Sequence, residues 1–155
     1  MQITPFLWFD HQAQEAATFY CSIFPNSKSD DVASYGEGAP VPSGNITSVT
    51  FELEGQEFIA FNGGPHMTFS PAISLFVSCQ TQAEVDELWE KLSEDGQPQQ
   101  CGWLRDKFGV TWQIIPVALG EMLQDADKTK AHNVLQAMLQ MHKIDLEKLQ
   151  AAYEQ

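Results

Sequence analysis

Apolar and polar positions switch between a period near two and a period near 3.6 along this chain, and the switches predict its elements. Ile3 to Phe9 is apolar, rich in aromatic residues and too short for a helix of its own, so it reads as a buried strand. Asp10 is a candidate cap for a helix whose apolar face is Ala13, Ala16, Ala17, Phe19, Tyr20 and Ile23, stopped by Pro25 and Asn26. Lys28 to Tyr35 has strand character, and Gly36 to Gly44, with its glycines and prolines, reads as a loop. Ile46 to Leu53 alternates, Glu54-Gly55-Gln56-Glu57 turns, and Phe58 to Phe61 returns as the second arm of a hairpin. Asn62-Gly63-Gly64-Pro65 then breaks the chain.

The order repeats. Ala72 to Ser78 is strand-like. Thr81-Gln82-Ala83-Glu84 is a capping box that opens a helix through Val85, Leu88, Trp89 and Leu92, ending at Gly96 and Pro98. Gln99 to Leu104 reads as a strand, Arg105 to Gly109 as a turn, and Val110 to Ile115 as the returning strand. Strand–helix–strand–strand–strand thus occurs twice, as expected for two copies of one supersecondary unit. A helical tail follows: Val117 to Gln124, then Lys130 to His142 with Val134, Leu135, Met138 and Met141 in a stripe. A last helix capped by Asp145 carries Leu146, Leu149 and Tyr153. That stripe must be covered, either by the same domain or by a second subunit.

Composition narrows the function classes. The chain has 155 residues, 43% of them hydrophobic and 11% aromatic, enough to bury a core without a disulfide scaffold. Acidic residues outnumber basic ones 21 to 8, for a formal net charge of −13. Such a surface repels phosphate backbones and anionic lipid, so neither nucleic acid nor membrane is an expected partner. Cys21, Cys79 and Cys101 are odd in number and widely spaced, with no CxxC pair, which fits reduced thiols in a cytoplasmic protein. The amino-terminal residues lack the basic leader and long apolar run of a signal peptide, and no apolar stretch approaches bilayer length.

Several longer stretches carry a family resemblance. Phe6-Leu7-Trp8-Phe9-Asp10, Phe19-Tyr20-Cys21-Ser22-Ile23-Phe24-Pro25-Asn26-Ser27, Phe61-Asn62-Gly63-Gly64-Pro65-His66, Cys101 through Val110 and Gln136 through Met141 are similar to the PhnB-like branch of the glyoxalase/bleomycin-resistance/dioxygenase, or vicinal oxygen chelate, superfamily. The resemblance covers essentially the whole chain, tail included. It implies an α+β fold of two βαβββ modules curling into an open cup, usually completed in a dimer. The expected domain is 1–116, with modules at about 1–66 and 71–116, and 117–155 is a helical tail that packs on a partner subunit of a homodimer. Some members of this branch carry a demethylubiquinone-methyltransferase name. The sequence has no glycine-rich strand-to-helix turn of the kind that cradles a dinucleotide or methyl donor, so that activity rests on the label alone.

Superfamily enzymes generally hold one divalent metal between His, Glu or Gln side chains from the first and last strand of each module. The positions that correspond here are Ile3, Thr4 or Pro5; Ile59 or Ala60; Pro71, Ala72 or Ile73; and Gln113. Gln113 is the one customary ligand among them, and one neutral ligand does not hold a divalent ion against water. No metal and no cofactor is therefore expected.

The remaining candidates follow from side-chain chemistry. His66, beyond a pair of glycines that let backbone approach a ligand, is the candidate general base; its alternative is a loop histidine beside a turn. Asn62 and Gly63 are candidates for ligand contact, with Asn62 equally able to cap the turn. Trp8, Phe61 and Trp103 can line an aromatic pocket or pack a core. Gln113 between Trp112 and Ile114 is an amide whose partner is a ligand if it points inward, or water if it does not. Cys101 lacks a nearby histidine, Cys21 and Cys79 read as core residues, and His132 and His142 as surface or interface residues. Glu52, Glu54 and Glu57 read as a solvated turn. The leading expectation is a protein that binds a small molecule in an aromatic-lined cup. The alternatives are a lyase, isomerase or dioxygenase-like enzyme, and an interaction module with a filled cup.

Overall fold

The computed structural model of the protein describes residues 1–34 and 46–155; Tyr35 and the loop expected from Gly36 to Gly44 lie outside the described residues. The chain divides into two compact units, Met1–Phe69 and Ser70–Gln155. Each contains one βαβββ repeat, and the second also contains the tail.

The first unit runs β1 (Phe6–Phe9), α1 (Ala13–Ile23), β2 (Ser27–Ser34), β3 (Ile46–Leu53) and β4 (Gln56–Asn62), with sheet order β1-β4-β3-β2. β1 pairs with β4 in parallel, as the crossover helix between them requires, and the other pairings are antiparallel. Ala13, Ala16, Ala17, Tyr20 and Ile23 bury one stripe of α1 against Phe9, Val49, Phe51, Phe58 and Ala60. Small residues on the helix let it approach the large rings of the sheet, where Phe51 lies between Phe58 at 5.3 Å and Tyr20 at 6.1 Å. Each fully buried ring of this kind stabilises by roughly 1.5–3 kcal/mol. β3 turns into β4 through Glu54 and Gly55, with φ of 48° and 85°, a two-residue turn whose twist matches the strands it joins. Glu54 is held in this unfavourable conformation by Asn26, whose backbone N–H and side-chain amide donate to its two carboxylate oxygens at 3.0 and 2.9 Å. Strand β4 therefore starts at Gln56 rather than Phe58.

Two expectations for this unit are corrected. The opening strand begins at Phe6 and not at Ile3, which is 88% exposed. Pro5 has no N–H, and the ladder there is reduced to its carbonyl accepting from Ile59 N–H at 3.0 Å. Asp10 does not cap α1. The N-cap residue is Gln12, which makes no side-chain cap bond, and the Ala13 N–H donates instead to Asn62 Oδ1 at 2.8 Å from the end of β4.

The second unit runs β5 (Leu75–Cys79), α2 (Gln82–Ser93), β6 (Gln97–Pro98), β7 (Trp103–Arg105) and β8 (Thr111–Pro116), with sheet order β5-β8-β7-β6. Thr81 and Glu84 form the expected capping box. Val85 and Leu92 of α2 are buried in the core that also takes Cys79, Leu104, Trp112 and Ile114. β5 starts at Leu75, later than expected, because Ser70 captures the N–H groups of Ala72 and Ile73 in a turn. Of the strand expected over Gln99 to Leu104, Trp103 and Leu104 lie in β7, while Gln99 to Gly102 form the tip of the β6–β7 hairpin. Cys101 and Gly102 take φ of 59° and 82°, which no strand accommodates. The β7–β8 turn is built on Asp106, 2% exposed, whose carboxylate accepts from Phe108 N–H, Val110 N–H and Trp112 Nε1–H at 2.8–3.0 Å.

The tail forms α3 (Val117–Leu123), α4 (Lys128–Met138) and α5 (Leu146–Tyr153). Asp127 and Asp145 cap the last two, the first starting α4 ahead of the expected Lys130. Leu119, Val134, Met141, Ile144 and Leu149 make a core of their own within the second unit, so much of the apolar stripe is covered without a second subunit. The segment before α5 is stitched to the repeat. Met141 and His142 carbonyls accept from Cys101 and Gly102 N–H at 2.8 and 2.7 Å. Gln82 donates to Ile144 carbonyl and accepts from Leu146 N–H.

At the end of the tail the Tyr153 hydroxyl donates to Asp125 Oδ2 at 2.5 Å. That bond holds the Asp125 carboxyl below its ordinary value of 3.8 and the Tyr153 phenol above its ordinary value of 10.0. A lowered carboxyl contributes stability above its unfolded value and loses it as pH falls through the folded one. A raised phenol contributes below its unfolded value and loses it as pH rises through the folded one. Tyr153→Phe should therefore lower the Tm modestly, with the deficit widest between about pH 5 and 9 and narrowing at both extremes, as read by thermal unfolding followed across pH.

Candidate functional site

In both units the helix covers one face of the sheet, and the aromatic candidates stand on the other. In the first unit the register sets Trp8 beside Phe61 and Phe6 beside Ile59, while Val49, Phe51, Phe58 and Ala60 turn the other way, into the core. Phe6 and Phe61 lie 5.2 Å apart, and Trp8 meets Phe61 edge-on at 5.1 Å. Phe6 is 56% exposed, while Trp8 and Phe61 are half-buried. The chain leaving β4 then folds over this row. Trp8 Nε1–H donates to Gly64 carbonyl at 2.9 Å, and Gly63 and Gly64 N–H donate to the Phe9 and Asp10 carbonyls at 2.9 and 3.1 Å. A side chain at Gly63 has no room: a Cβ there would stand 2.6 Å from Phe61 Cε1 and closer still to the Trp8 ring. His66 follows in an exposed turn, its ring beside Gly64.

At the other end of the same face stands Glu57. Its Oε1 accepts from Thr4 Oγ1 at 3.2 Å and Gln2 Nε2 at 3.3 Å. Glu52, its cross-strand partner, pairs with Lys28 at 3.7 Å, and Glu54 is held by Asn26. The three glutamates around the hairpin thus have separate local partners.

In the second unit Phe76, Gln113 and Trp103 form one row across β5, β8 and β7. Phe76 is 59% exposed, Trp103 and Gln113 are half-buried, and Gln113 Nε2 donates to Ser74 Oγ at 2.8 Å. Trp112 and Ile114 face the opposite way, into the core.

Five of the candidate residues, Trp8, Phe61, Asn62, Gly63 and His66, therefore meet in the first unit, and Trp103 and Gln113 meet in the second. Asn62 has a structural duty in capping α1. Phe6, Phe76, Ser74 and Glu57 were not singled out as ligand contacts from the sequence. Strand alternation places Phe6 two residues before Trp8, on its face, and that parity was the available signal. The thiols are poor nucleophiles where a shift is resolved: burial pushes Cys79 up to about 11, and burial likewise raises Cys21. His142, in the tail, bonds Gln99 carbonyl through Nδ1 at 2.9 Å. A cleft of about 480 Å³ opens on the tail beside His142, Lys143 and Lys148, and none of the candidate residues lines it.

The geometry can be set beside known proteins. Residues 1–115 match the family model described as 3-demethylubiquinone-9 3-methyltransferase. A PhnB protein from Bacillus cereus is 38% identical, with a TM-score of 0.67 over 76% of this chain and 100% of its own. The chain belongs to this PhnB family. A protein of known structure from Pseudomonas aeruginosa shares the fold at 21% identity, with a TM-score of 0.63 over 75% of this chain and 97% of its own. A glyoxylase/bleomycin resistance protein/dioxygenase domain from Frankia sp. EAN1pec also matches, at 16% identity and a TM-score of 0.48, over 75% of this chain and 91% of its own. No curated protein matches the chain. The family match spans both βαβββ repeats and stops before the tail, so the tail's expected resemblance falls outside it.

Membership fixes the family and leaves the chemistry to the site. The turns that lead from β1 into α1 and from β5 into α2 of this PhnB-family chain, Asp10-His11-Gln12 and Gln80-Thr81, contain no glycine. They lack the close backbone approach by which such turns cradle a nucleotide or methyl donor. Among the described residues no helix is long and apolar enough to cross a membrane.

The packing over Trp8 generates a direct test. Gly63→Ala should cost about 1–3 kcal/mol, since the added methyl must displace two rings packed against each other. Urea denaturation measures the loss, and a changed near-ultraviolet circular dichroism spectrum locates it at the aromatic row.

Proposed function

We propose that this chain is a small-molecule-binding protein of the glyoxalase/bleomycin-resistance superfamily that takes its ligand on an aromatic sheet face, without the superfamily's usual metal centre. The observation that carries the reading is the exposure of Phe6 and Phe76, 56% and 59%, beside half-buried tryptophans on the sheet faces opposite α1 and α2. Large rings left open to water in a row, with a few polar groups among them, are the usual furniture of a ligand site. In the first unit Phe6, Trp8 and Phe61 supply apolar area; in the second Phe76 and Trp103 do so, and Gln113 supplies an amide that fixes orientation.

The donor chemistry supports the absence of a metal centre. Among the described residues no group of three or more His, Cys, Asp or Glu side chains is placed to hold an ion. Gln113 is neutral and bonded to Ser74, and its ladder neighbours Phe76 and Trp103 offer no metal-binding atom. A divalent ion would have to exchange its water for one carboxamide, which is unfavourable. The residues present do not fit the group, and no step is assigned through it.

Two measurements test the reading. Native mass spectrometry of freshly purified protein should show a retained small molecule, and titration with the neutral probe 1-aminoanthracene should change tryptophan emission. Phe61→Ala and Trp103→Ala should each weaken that binding about 5- to 30-fold, the loss of roughly 1–2 kcal/mol of ring contact. His66→Ala should leave it within about twofold, because the ring is exposed at the margin; a large loss there would favour His66 as a working group. Calorimetric titration of chelator-treated protein with Mn²⁺, Ni²⁺ or Zn²⁺ should give no tight one-to-one site, and a tight site would overturn the metal-free reading.

A further inference from the structure

We propose that the ligand taken by the open face of the first unit is an organic cation, an amine or quaternary ammonium joined to an apolar or aromatic body. This rests on the small-molecule reading above and adds the ligand's charge. Glu57 carries it. Its side chain lies on the same sheet face as Ile59 and Phe61, and the Phe6 ring stands beside Ile59 on the neighbouring strand. Two residues along a strand is about 6.8 Å, so a carboxylate and an exposed ring stand within the span of one small molecule.

The carboxylate is oriented but not neutralised. Both hydrogen bonds it receives, from Thr4 and Gln2, come from neutral donors and fall on Oε1, which leaves Oε2 to the open side. Among the described residues no cation lies within ion-pair distance of Glu57. The one nearby lysine, Lys28, is committed to Asp30 at 3.4 Å and Glu52 at 3.7 Å. A half-buried carboxylate near an exposed aromatic ring favours a cation twice over, through its own charge and through the negative ring face of Phe6. The net charge of −13 steers the same class of molecule toward the protein and repels anions.

The test uses the full chain and three probes of one shape: benzyltrimethylammonium, its neutral carbon analogue neopentylbenzene, and the anion phenylmethanesulfonate. Saturation-transfer NMR and tryptophan fluorescence report binding at two salt concentrations. The cation should bind at least tenfold more tightly than the neutral probe, the anion should not bind, and added salt should weaken the cation alone. Glu57→Gln, which keeps shape and hydrogen bonding, should erase the cation's advantage while leaving the neutral probe's affinity and the Tm unchanged. If the neutral or anionic probe binds as well as the cation, the charge assignment falls and the small-molecule reading stands. If none binds, both fall. A cation preference that survives Glu57→Gln overturns the role given to Glu57.

Discussion

One helix can cover only one face of a four-stranded sheet, and the character of both units follows from that constraint. The covered face is closed by α1 in the first unit and α2 in the second, with alanines on α1 admitting the rings of Phe51 and Phe58. The other face carries equally apolar residues, Phe6, Trp8 and Phe61 in one unit and Phe76 and Trp103 in the other, and in the second unit, among the described residues, the tail core packs only on Ile115 at the end of that face. Strand alternation forces this split, because each residue added to the core face places its neighbour on the open one. A chain selected only for stability would make those neighbours polar. Rings kept there at the cost of exposure need another reason, and the ligand contact proposed above would supply one.

Two carboxylates, one in the β7–β8 turn and one on the open face of the first unit, differ in a way that bears on chemistry. Asp106 is a buried carboxylate whose oxygens are taken up by three donors of its own turn, and it shapes the β7–β8 hairpin. Glu57 receives two bonds on one oxygen only and remains half-exposed. The first is a finished structural device. The second is oriented and left with capacity, the condition under which a polar group contributes to recognition rather than to folding.

Much of the fold was legible because period and punctuation agreed. The capping box at Thr81 and Glu84, the alanine face of α1, the Glu54-Gly55 turn and the duplicated order of elements all appear where the pattern put them. The misses share a cause: long-range partners outweighed local signals. Asp10 looked like a cap, but Asn62, distant in sequence, supplies the acceptor. Gln99 to Leu104 reads as one strand, but only its end is extended, because Cys101 and Gly102 adopt left-handed backbone and their N–H groups meet the tail segment at Met141 and His142. Neither partner is visible in a local window. The site was partly legible for the same reason. Trp8 and Phe61 sit in motifs that stand out, whereas Phe6 and Glu57 acquire meaning only once the strand register sets them on one face.

The tail shows how far such long-range pairing reaches. Gly102 stands where β8 and the tail segment before α5 close on the β6–β7 hairpin: its carbonyl accepts from Ile114, its N–H donates to His142 carbonyl, and an added Cβ would press on Ile115 at 2.7 Å and Ile144 at 3.0 Å. The same hairpin carries Trp103 into the row with Gln113 and Phe76. The tail core of Leu119, Val134, Ile144 and Leu149 therefore braces the strand end from which an aromatic ligand candidate projects. Rigid support of that kind matters most for a surface that recognises by shape and ring contact, since a ring free to rotate must be ordered again when a ligand arrives. The helices beyond the repeat thus brace the open face of their own unit at Ile115, at one end of β8, while leaving Phe76 exposed.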